Sequence, residues 1–262
     1  MQDVQASSVI TDFWDRLSKA PASALLLDYD GTLAPFQTER DRAFPYAEVV
    51  PILNRIIASG RTRVVIISGR PVHELRVLLG SLSKLEVWGA HGLEHLLADG
   101  TYLQANIDPQ LLSVLEEARR WAVTAGLEAL LEIKAGGIAI HWRGLPEAEI
   151  TRTQALAQQG WTALAQKPGL KLLLFDGGLE LRAARPNKGD AVATTLKESH
   201  ADSSIAFLGD DLTDEDAFGA LEGRGLSVLV RPEYRATRAT VWLQPPHELI
   251  SFLEEWSNSL SA

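Results

Sequence analysis

The sequence contains no cysteine. Disulfides, thiolate metal sites and thiol nucleophiles are therefore excluded, whereas the redox compartment is left open because absence fits either environment. Basic residues are in the minority, with 25 Lys and Arg against 34 Asp and Glu and a net charge of −9. That balance argues against nonspecific nucleic-acid binding and against an anionic membrane surface. A phosphorylated substrate would need a metal and a few placed cations to overcome the global field. No apolar run approaches the roughly 20 residues of a membrane helix, and the opening Met1-Gln2-Asp3-Val4-Gln5 lacks the basic-then-apolar pattern of a signal peptide. A cytoplasmic location is the expectation. Repeats, low-complexity tracts and long linkers are missing as well. What is present is a 46% hydrophobic composition over 262 residues, enough for a full core with room for a second module.

The most informative stretch is Leu25-Leu26-Leu27-Asp28-Tyr29-Asp30-Gly31-Thr32-Leu33, an apolar run that stops at two carboxylates one residue apart, followed by glycine. An unalternating run of this length suits a central strand covered on both faces of a parallel sheet. Ligands in such sheets bind beyond the carboxyl ends of the strands, where Asp28 and Asp30 fall. Carboxylates this close raise each other's pKa unless a cation neutralises them, and oxygen ligands with room for water and phosphate describe a Mg²⁺ site. A solvated turn with two acids is the alternative reading. D-x-D-G-T-L after an apolar strand resembles the first motif of the haloacid dehalogenase superfamily of phosphohydrolases. The resemblance implies that Asp28 is a nucleophile forming an aspartyl-phosphate and that Asp30 is the general acid/base.

Around this stretch, strand and helix patterns alternate, as in an α/β fold. Helical spacing covers 3–20 (Val9, Phe13, Leu17) and 45–58, and buried-type strands are expected at 23–28, 63–67 and 85–88. The second strand ends in Ser68-Gly69-Arg70-Pro71 before a helix at 72–79. An arginine there faces the positive end of the helix dipole unless an anion reverses the sign. Ser68, Gly69 and Arg70 thus form a candidate phosphate cradle resembling the superfamily's second motif, against the plainer reading of an N-capping Ser68 with a solvated Arg70. The third strand runs into Gly89-Ala90-His91-Gly92-Leu93-Glu94. There His91 is either a loop histidine without chemistry or, by resemblance of G-x-H-G-x-E to trehalose-6-phosphate phosphatases, a substrate-binding residue.

Residues 106–185 change rhythm: helix 109–125, strands 129–134 and 137–143, helix 146–163, strands 170–175 and 178–183. In these strands Glu132 and Lys134, His141 and Arg143, and Glu180 and Arg182 alternate with Leu131 and Ile133, with Ile138, Ile140 and Trp142, and with Leu179 and Leu181. The pattern predicts an antiparallel sheet whose apolar face packs on two helices and whose other face is free and charged in both signs. That face is either solvated surface or a lattice of donors and acceptors for sugar hydroxyls. Its position between the second and third motifs matches the cap of sugar phosphatases, which closes over the reactive loop, and E-x-K with a later L-E-L-R resembles the trehalose-phosphatase branch. The expected division is a core of residues 1–105 and 186–262 and a cap of 106–185.

The core pattern resumes with Asn187-Lys188-Gly189-Asp190 entering a helix at 188–198, followed by strand 204–208, strands 226–230 and 240–243 and helix 246–257. Lys188 lies at the unfavourable end of the helix dipole. It is either solvated there or, as in the third motif it resembles, holds the nucleophilic carboxylate and the phosphate together. Strand 204–208 ends in Gly209-Asp210-Asp211-Leu212-Thr213-Asp214-Glu215-Asp216, an acid density that calls for a cation. G-D-D-x-T-D-E resembles the fourth motif of the same branch. That resemblance implies Asp210 as a direct Mg²⁺ ligand with Asp211 and Asp214 auxiliary, completing a metal set with Asp28 and Asp30.

The resulting expectation is a doubly wound, mostly parallel α/β core with an inserted α+β cap. The activity implied is Mg²⁺-dependent hydrolysis of trehalose 6-phosphate by a monomer whose partner is this small sugar phosphate. Two other readings stand beside it: another sugar-phosphate phosphatase of the superfamily, and a catalytically silent sugar-phosphate sensor.

Overall fold

The computed structural model describes residues 2–37, 39–82, 84–175 and 177–260. The chain divides into two compact units, residues 1–103 with 188–262 and residues 104–187. No helix among the described residues is long and apolar enough to cross a membrane.

The first unit begins with α1 (Gln2–Lys19), β1 (Ser23–Leu27), α2 (Val49–Ala58), β2 (Thr62–Ile67), α3 (Val72–Leu79), β3 (Glu86–Gly89), β4 (Glu94–Leu96) and β5 (Tyr102–Gln104). The inserted unit carries α4 (Pro109–Thr124), β6 (Leu131–Lys134), β7 (Gly137–His141), α5 (Glu147–Ala165), β8 (Leu170–Phe175) and β9 (Gly178–Ala183). The first unit is completed by α6 (Lys188–Glu198), β10 (Ser204–Gly209), α7 (Glu215–Leu221), β11 (Leu226–Val230), β12 (Val241–Leu243) and α8 (His247–Ser259).

The core sheet has the order β12-β11-β10-β1-β2-β3-β4-β5. Its first six strands run parallel, and β4 joins antiparallel to β3. Because both faces of β1 are covered, all five of its residues are buried. Leu25 and Leu27 point into a cluster with Phe13, Leu17, Ile52, Leu53 and Trp256, while Leu26 points to the opposite cluster with Val65, Val192, Phe207 and Phe218. Each leucine so buried contributes roughly 1.5–3 kcal/mol, which makes β1 the axis of both layers. The helix α2 starts at Val49 rather than residue 45, and the Tyr46 N–H donates to the Leu33 carbonyl at 3.0 Å.

The inserted unit is a four-stranded antiparallel sheet of order β6-β7-β9-β8. Ile138, Ile140, Leu179 and Leu181 pack with Trp161, Leu115 and Ala118 of the two helices, as the alternation predicts. Three details differ from the sequence pattern. Ile133, expected on the apolar face, is 68% exposed at the edge strand β6, and the strand begins at Leu131 because residues Glu128–Leu130 form a 3-10 turn. On the other face, expected to be free, Glu180 and Arg182 are buried.

Candidate active site

The site assembles where the parallel strands end. Register pairs Leu27 with Leu208 on one side and with Ile66 on the other, so the loops after β1, β2 and β10 are neighbours. The Asp28 N–H donates to the Leu208 carbonyl at 2.8 Å, the last ladder bond before the loop opens. The Ser68 N–H bonds the Trp88 carbonyl and the His91 N–H bonds the Ser68 carbonyl, both at 2.9 Å, which fixes the loop after β3 to the loop after β2.

Sequence positions 28, 188, 210 and 214 meet in one buried cluster. The Lys188 ammonium donates to Asp28 Oδ1 at 2.6 Å and to Asp214 Oδ1 at 2.7 Å. All four side chains are buried, and one oxygen from each of Asp28, Asp210 and Asp214 lies within 4.8 Å of the others. Burial pushes the Asp28 carboxyl up to about 7; Lys188 opposes this, and Asp214 and Asp30 add to it. Burial likewise holds the Asp210 carboxyl far above its ordinary value, reinforced by Asp28, Asp214 and Asp211. Three carboxylates against one ammonium leave an excess of negative charge in a desolvated space, a condition that a divalent cation relieves.

The donor set fits such an ion. Among the described residues, buried Asp210 Oδ2 accepts no hydrogen bond and Asp28 Oδ2 has only a long contact of 3.5 Å from Thr32 Oγ1. Asp214 differs: its Oδ2 accepts the N–H groups of Asp210 and Asp211 at 3.0 and 2.9 Å, so both its oxygens are already engaged. Asp211 caps the 3-10 turn Leu212–Asp214 by accepting the Leu212 N–H at 2.7 Å. Gly31 sits at φ +80°, and a Cβ there would lie 2.3 Å from Asp210 Oδ2, so the space beside that oxygen requires glycine.

Asp30 and Arg70 form a separate pair. The guanidinium grips the carboxylate through two bonds of 2.7 Å, and its remaining Nη1 bonds the Arg40 carbonyl at 2.8 Å and Glu74 at 3.1 Å. The anion that offsets the unfavourable position of Arg70 at the start of α3 is therefore the protein's own Asp30, with Glu74. Ser68 Oγ accepts the Arg70 N–H at 3.1 Å. Gly69 is covered by the imidazole of His91, since a Cβ at 69 would meet the ring at 2.6 Å. His91 and Ala90 both adopt left-handed backbone, φ +57° and +47°. Strain of this kind in non-glycine residues clusters at functional sites.

The inserted unit presents its own charged network. Lys134 donates to Glu180 at 2.9 Å and lies 3.8 Å from Glu132, which in turn meets His141 Nε2 at 2.7 Å. The Phe175 ring stands beside both side chains, 6.0 Å from the Lys134 ammonium and edge-to-face with His141. Arg143, expected in this group, is exposed, with its side chain against Gly177.

The fold, with carboxylates gathered at the carboxyl ends of parallel strands and a lysine from a later helix, is that of haloacid dehalogenase-like hydrolases. A haloacid dehalogenase-like hydrolase from B. subtilis shares the fold, with a TM-score of 0.62 at 16% identity over 88% of this chain and 99% of that one. The C-terminal domain of trehalose-6-phosphate phosphatase from C. albicans superposes with a TM-score of 0.82 at 20% identity, covering 95% and 96% of the two chains.

The trehalose-phosphatase family model matches residues 26–242, and the chain belongs to that family. A trehalose-phosphate phosphatase of Mycobacterium marinum is 30% identical over 257 residues, 92% of this chain, and this chain spans 63% of that relative's length. Phosphatases of this fold are generally metal-dependent, in keeping with the acidic cluster.

Sequence reasoning missed Arg235 and Glu215. Arg235 lies in an irregular segment between β11 and β12 and donates to the carbonyls of Asp210 and Asp211. The only sequence signal was the final acid of G-D-D-L-T-D-E, Glu215, which binds it.

Proposed function

We propose that this protein is a Mg²⁺-dependent phosphatase that hydrolyses trehalose 6-phosphate to trehalose and phosphate. The observation that carries the reading is the buried cluster of Asp28, Asp210 and Asp214 around Lys188, in which Asp210 keeps an oxygen without a hydrogen-bond donor among the described residues. Asp28 and Asp210 are the carboxylates with oxygens to offer Mg²⁺, with Asp211 and Asp214 shaping the loop that presents them. The ion supplies charge neutralisation and polarises the phosphoryl oxygens.

In the reaction, a carboxylate oxygen of Asp28 attacks phosphorus in line while the ester P–O bond breaks, and Asp30, protonated once it has left the Arg70 guanidinium, passes its proton to the departing sugar oxygen. Water then attacks the aspartyl-phosphate, giving its proton to Asp30 and releasing phosphate and the free Asp28 carboxylate. Ser68 Oγ, the Gly69 N–H and the Lys188 ammonium stabilise charge on the transferring group, where preorganised electrostatics is usually the largest catalytic contribution. Arg70 serves this chemistry by holding Asp30 rather than by meeting phosphate. His91 and the face of Glu132, Lys134, His141, Arg143 and Glu180 are assigned to the sugar, because paired acids and bases can both accept from and donate to hydroxyls. The location is the cytoplasm and the working form a monomer.

Phosphate release measured across disaccharide and monosaccharide phosphates, for the wild type and for Asp28→Asn, tests the reading. Preferential release from trehalose 6-phosphate, lost in the variant, is expected. Preference for a hexose phosphate would assign a different sugar, and metal-independent silence toward every phosphate would leave a sensor.

A further inference from the structure

The loop between β11 and β12, residues 231–240, has no regular structure, and Glu233, Tyr234, Ala236 and Arg238 are exposed along it. Arg235 is half-buried. Its side chain turns inward, with Nε 3.3 Å from the Asp210 carbonyl and Nη2 2.7 Å from the Asp211 carbonyl. These two consecutive carbonyls belong to the segment that delivers the Asp210 carboxylate. The third guanidinium nitrogen bonds Glu215 at 2.5 Å and the Ala236 carbonyl at 2.9 Å. Glu215 is held in turn by Thr237 Oγ1 at 2.7 Å and by the Arg238 N–H at 2.9 Å.

This arrangement has an electrostatic peculiarity. A guanidinium so near a cation-binding carboxylate repels the cation, so its charge is a liability unless it is compensated and unless its geometry is needed. Glu215 provides the compensation, bonding Arg235 as well as Thr237 and the Arg238 N–H. The geometry is that of a planar fork, which a lysine cannot reproduce: two N–H groups in one plane reach two successive carbonyls and fix the peptide between them. Asp214 fixes the same segment from the other side, accepting the N–H groups of residues 210 and 211. The N–H and C=O groups of residues 210 and 211 are thereby each engaged by a side chain, which holds the backbone that carries the Asp210 carboxylate.

We infer that Arg235, oriented by Glu215, is a positioning residue that holds the Asp210-Asp211 backbone and so sets the affinity for Mg²⁺. The inference rests on the metal reading of the site. Groups that orient metal ligands from outside the coordination shell typically govern 10- to 100-fold of metal affinity.

The experiment is calorimetric titration of Mg²⁺ into the metal-stripped full chain for wild type, Arg235→Ala and Arg235→Lys, with the melting temperature of each metal-free protein recorded in parallel. The expected result is a Mg²⁺ dissociation constant raised about 10- to 100-fold in Arg235→Ala. Arg235→Lys should fall between, since an ammonium can serve one carbonyl at a time. The Mg²⁺ concentration for half-maximal turnover should move in step, with kcat at saturating Mg²⁺ far less affected. Unchanged Mg²⁺ affinity alongside a lowered melting temperature would make Arg235 an anchor of the loop only and overturn the proposal. If Arg235→Ala fails to fold, the lysine variant decides in the same way. A wild type that binds no Mg²⁺ would overturn the metal reading itself, a result distinct from equal binding by all three proteins.

Discussion

The ammonium of Lys188 lies 2.6 Å from Oδ1 of Asp28, although the two residues are 160 positions apart in the chain. The lysine opens α6 and the aspartate directly follows β1, and both are shut away from solvent. The pairing aims Asp28 with one oxygen held and leaves the other facing the reactive loop. Asp28→Asn keeps that shape but has no nucleophilic oxygen, and turnover should fall about a thousandfold or more. Because burial raises the Asp28 carboxyl to about 7, its ionisation opposes folding progressively from the ordinary carboxylate pKa up to about 7, and fully above that. The metal-free variant should therefore melt no lower than the wild type at pH 8. Calorimetry and a phosphate-release assay on the same preparation check both statements.

Chelation should abolish activity and added Mg²⁺ restore it. Mg²⁺ should also raise the melting temperature, since an ion that binds the folded form alone stabilises it by mass action. Full turnover in chelator-treated protein would mean that the carboxylates near Lys188 serve another purpose.

Gly31 faces Asp210 so closely that a Cβ would stand 2.3 Å from Oδ2 and 2.7 Å from the Phe36 ring. Gly31→Ala also asks an alanine to hold φ +80°, at a cost of roughly 1–2 kcal/mol. The variant is expected to fold with a lowered melting temperature and a weakened response to Mg²⁺, read by titration.

Specificity for the sugar is placed on Glu180, a buried acid holding Lys134 at 2.9 Å. Removing one member of a buried polar pair costs roughly 1–3 kcal/mol. Glu180→Ala should accordingly lower kcat/KM for trehalose 6-phosphate by roughly 5- to 100-fold. Hydrolysis of a small aryl phosphate should be nearly unchanged. Equal losses on both substrates would assign Glu180 to folding.

A pH effect on stability should come from Glu86, far from the chemistry. Burial alone would raise its carboxyl, but the hydrogen bonds from Arg63 at 2.8 and 2.5 Å, with His95 at 3.1 Å, outweigh burial and hold it below the ordinary value. A depressed carboxyl stabilises above its unfolded pKa, and that stability is lost as pH falls through the folded one. Glu86→Gln should therefore cost about 1–3 kcal/mol at pH 7. The gap should close as pH drops below about 4. Denaturant unfolding across a pH series measures it.

The core was legible because its strands are unalternating runs and each chemistry-bearing motif stands at a strand end or, for Lys188, at a helix start. Leu25 to Asp28 and Ile205 to Asp210 each contain both the burial signal and the carboxylate. The short strands β4 and β5 were not legible: three residues each, around Asp99-Gly100, they carry too little periodicity to register. Arg70 shows a different limit. Its sequence position demands an anion, and the fold supplies one from Asp30, 40 residues away. Arg235 was invisible for a related reason, since an arginine in an irregular exposed segment looks solvated until the fold brings two carbonyls to it.

The place of β1 between β2 and β10 has a consequence for biosynthesis. Ser23–Leu27 finds β2 within 40 residues, but its other neighbour, Ser204–Gly209, is translated some 180 residues later. Until then the edge of a strand made of Ala24 and three leucines has no native partner, and the Asp28 carboxylate beyond it has no Lys188. A nascent chain in this condition is open to pairing with other unfinished chains. Slow translation through 104–187 would prolong that exposure, so yield in expression should depend on chaperones that shield the N-terminal half.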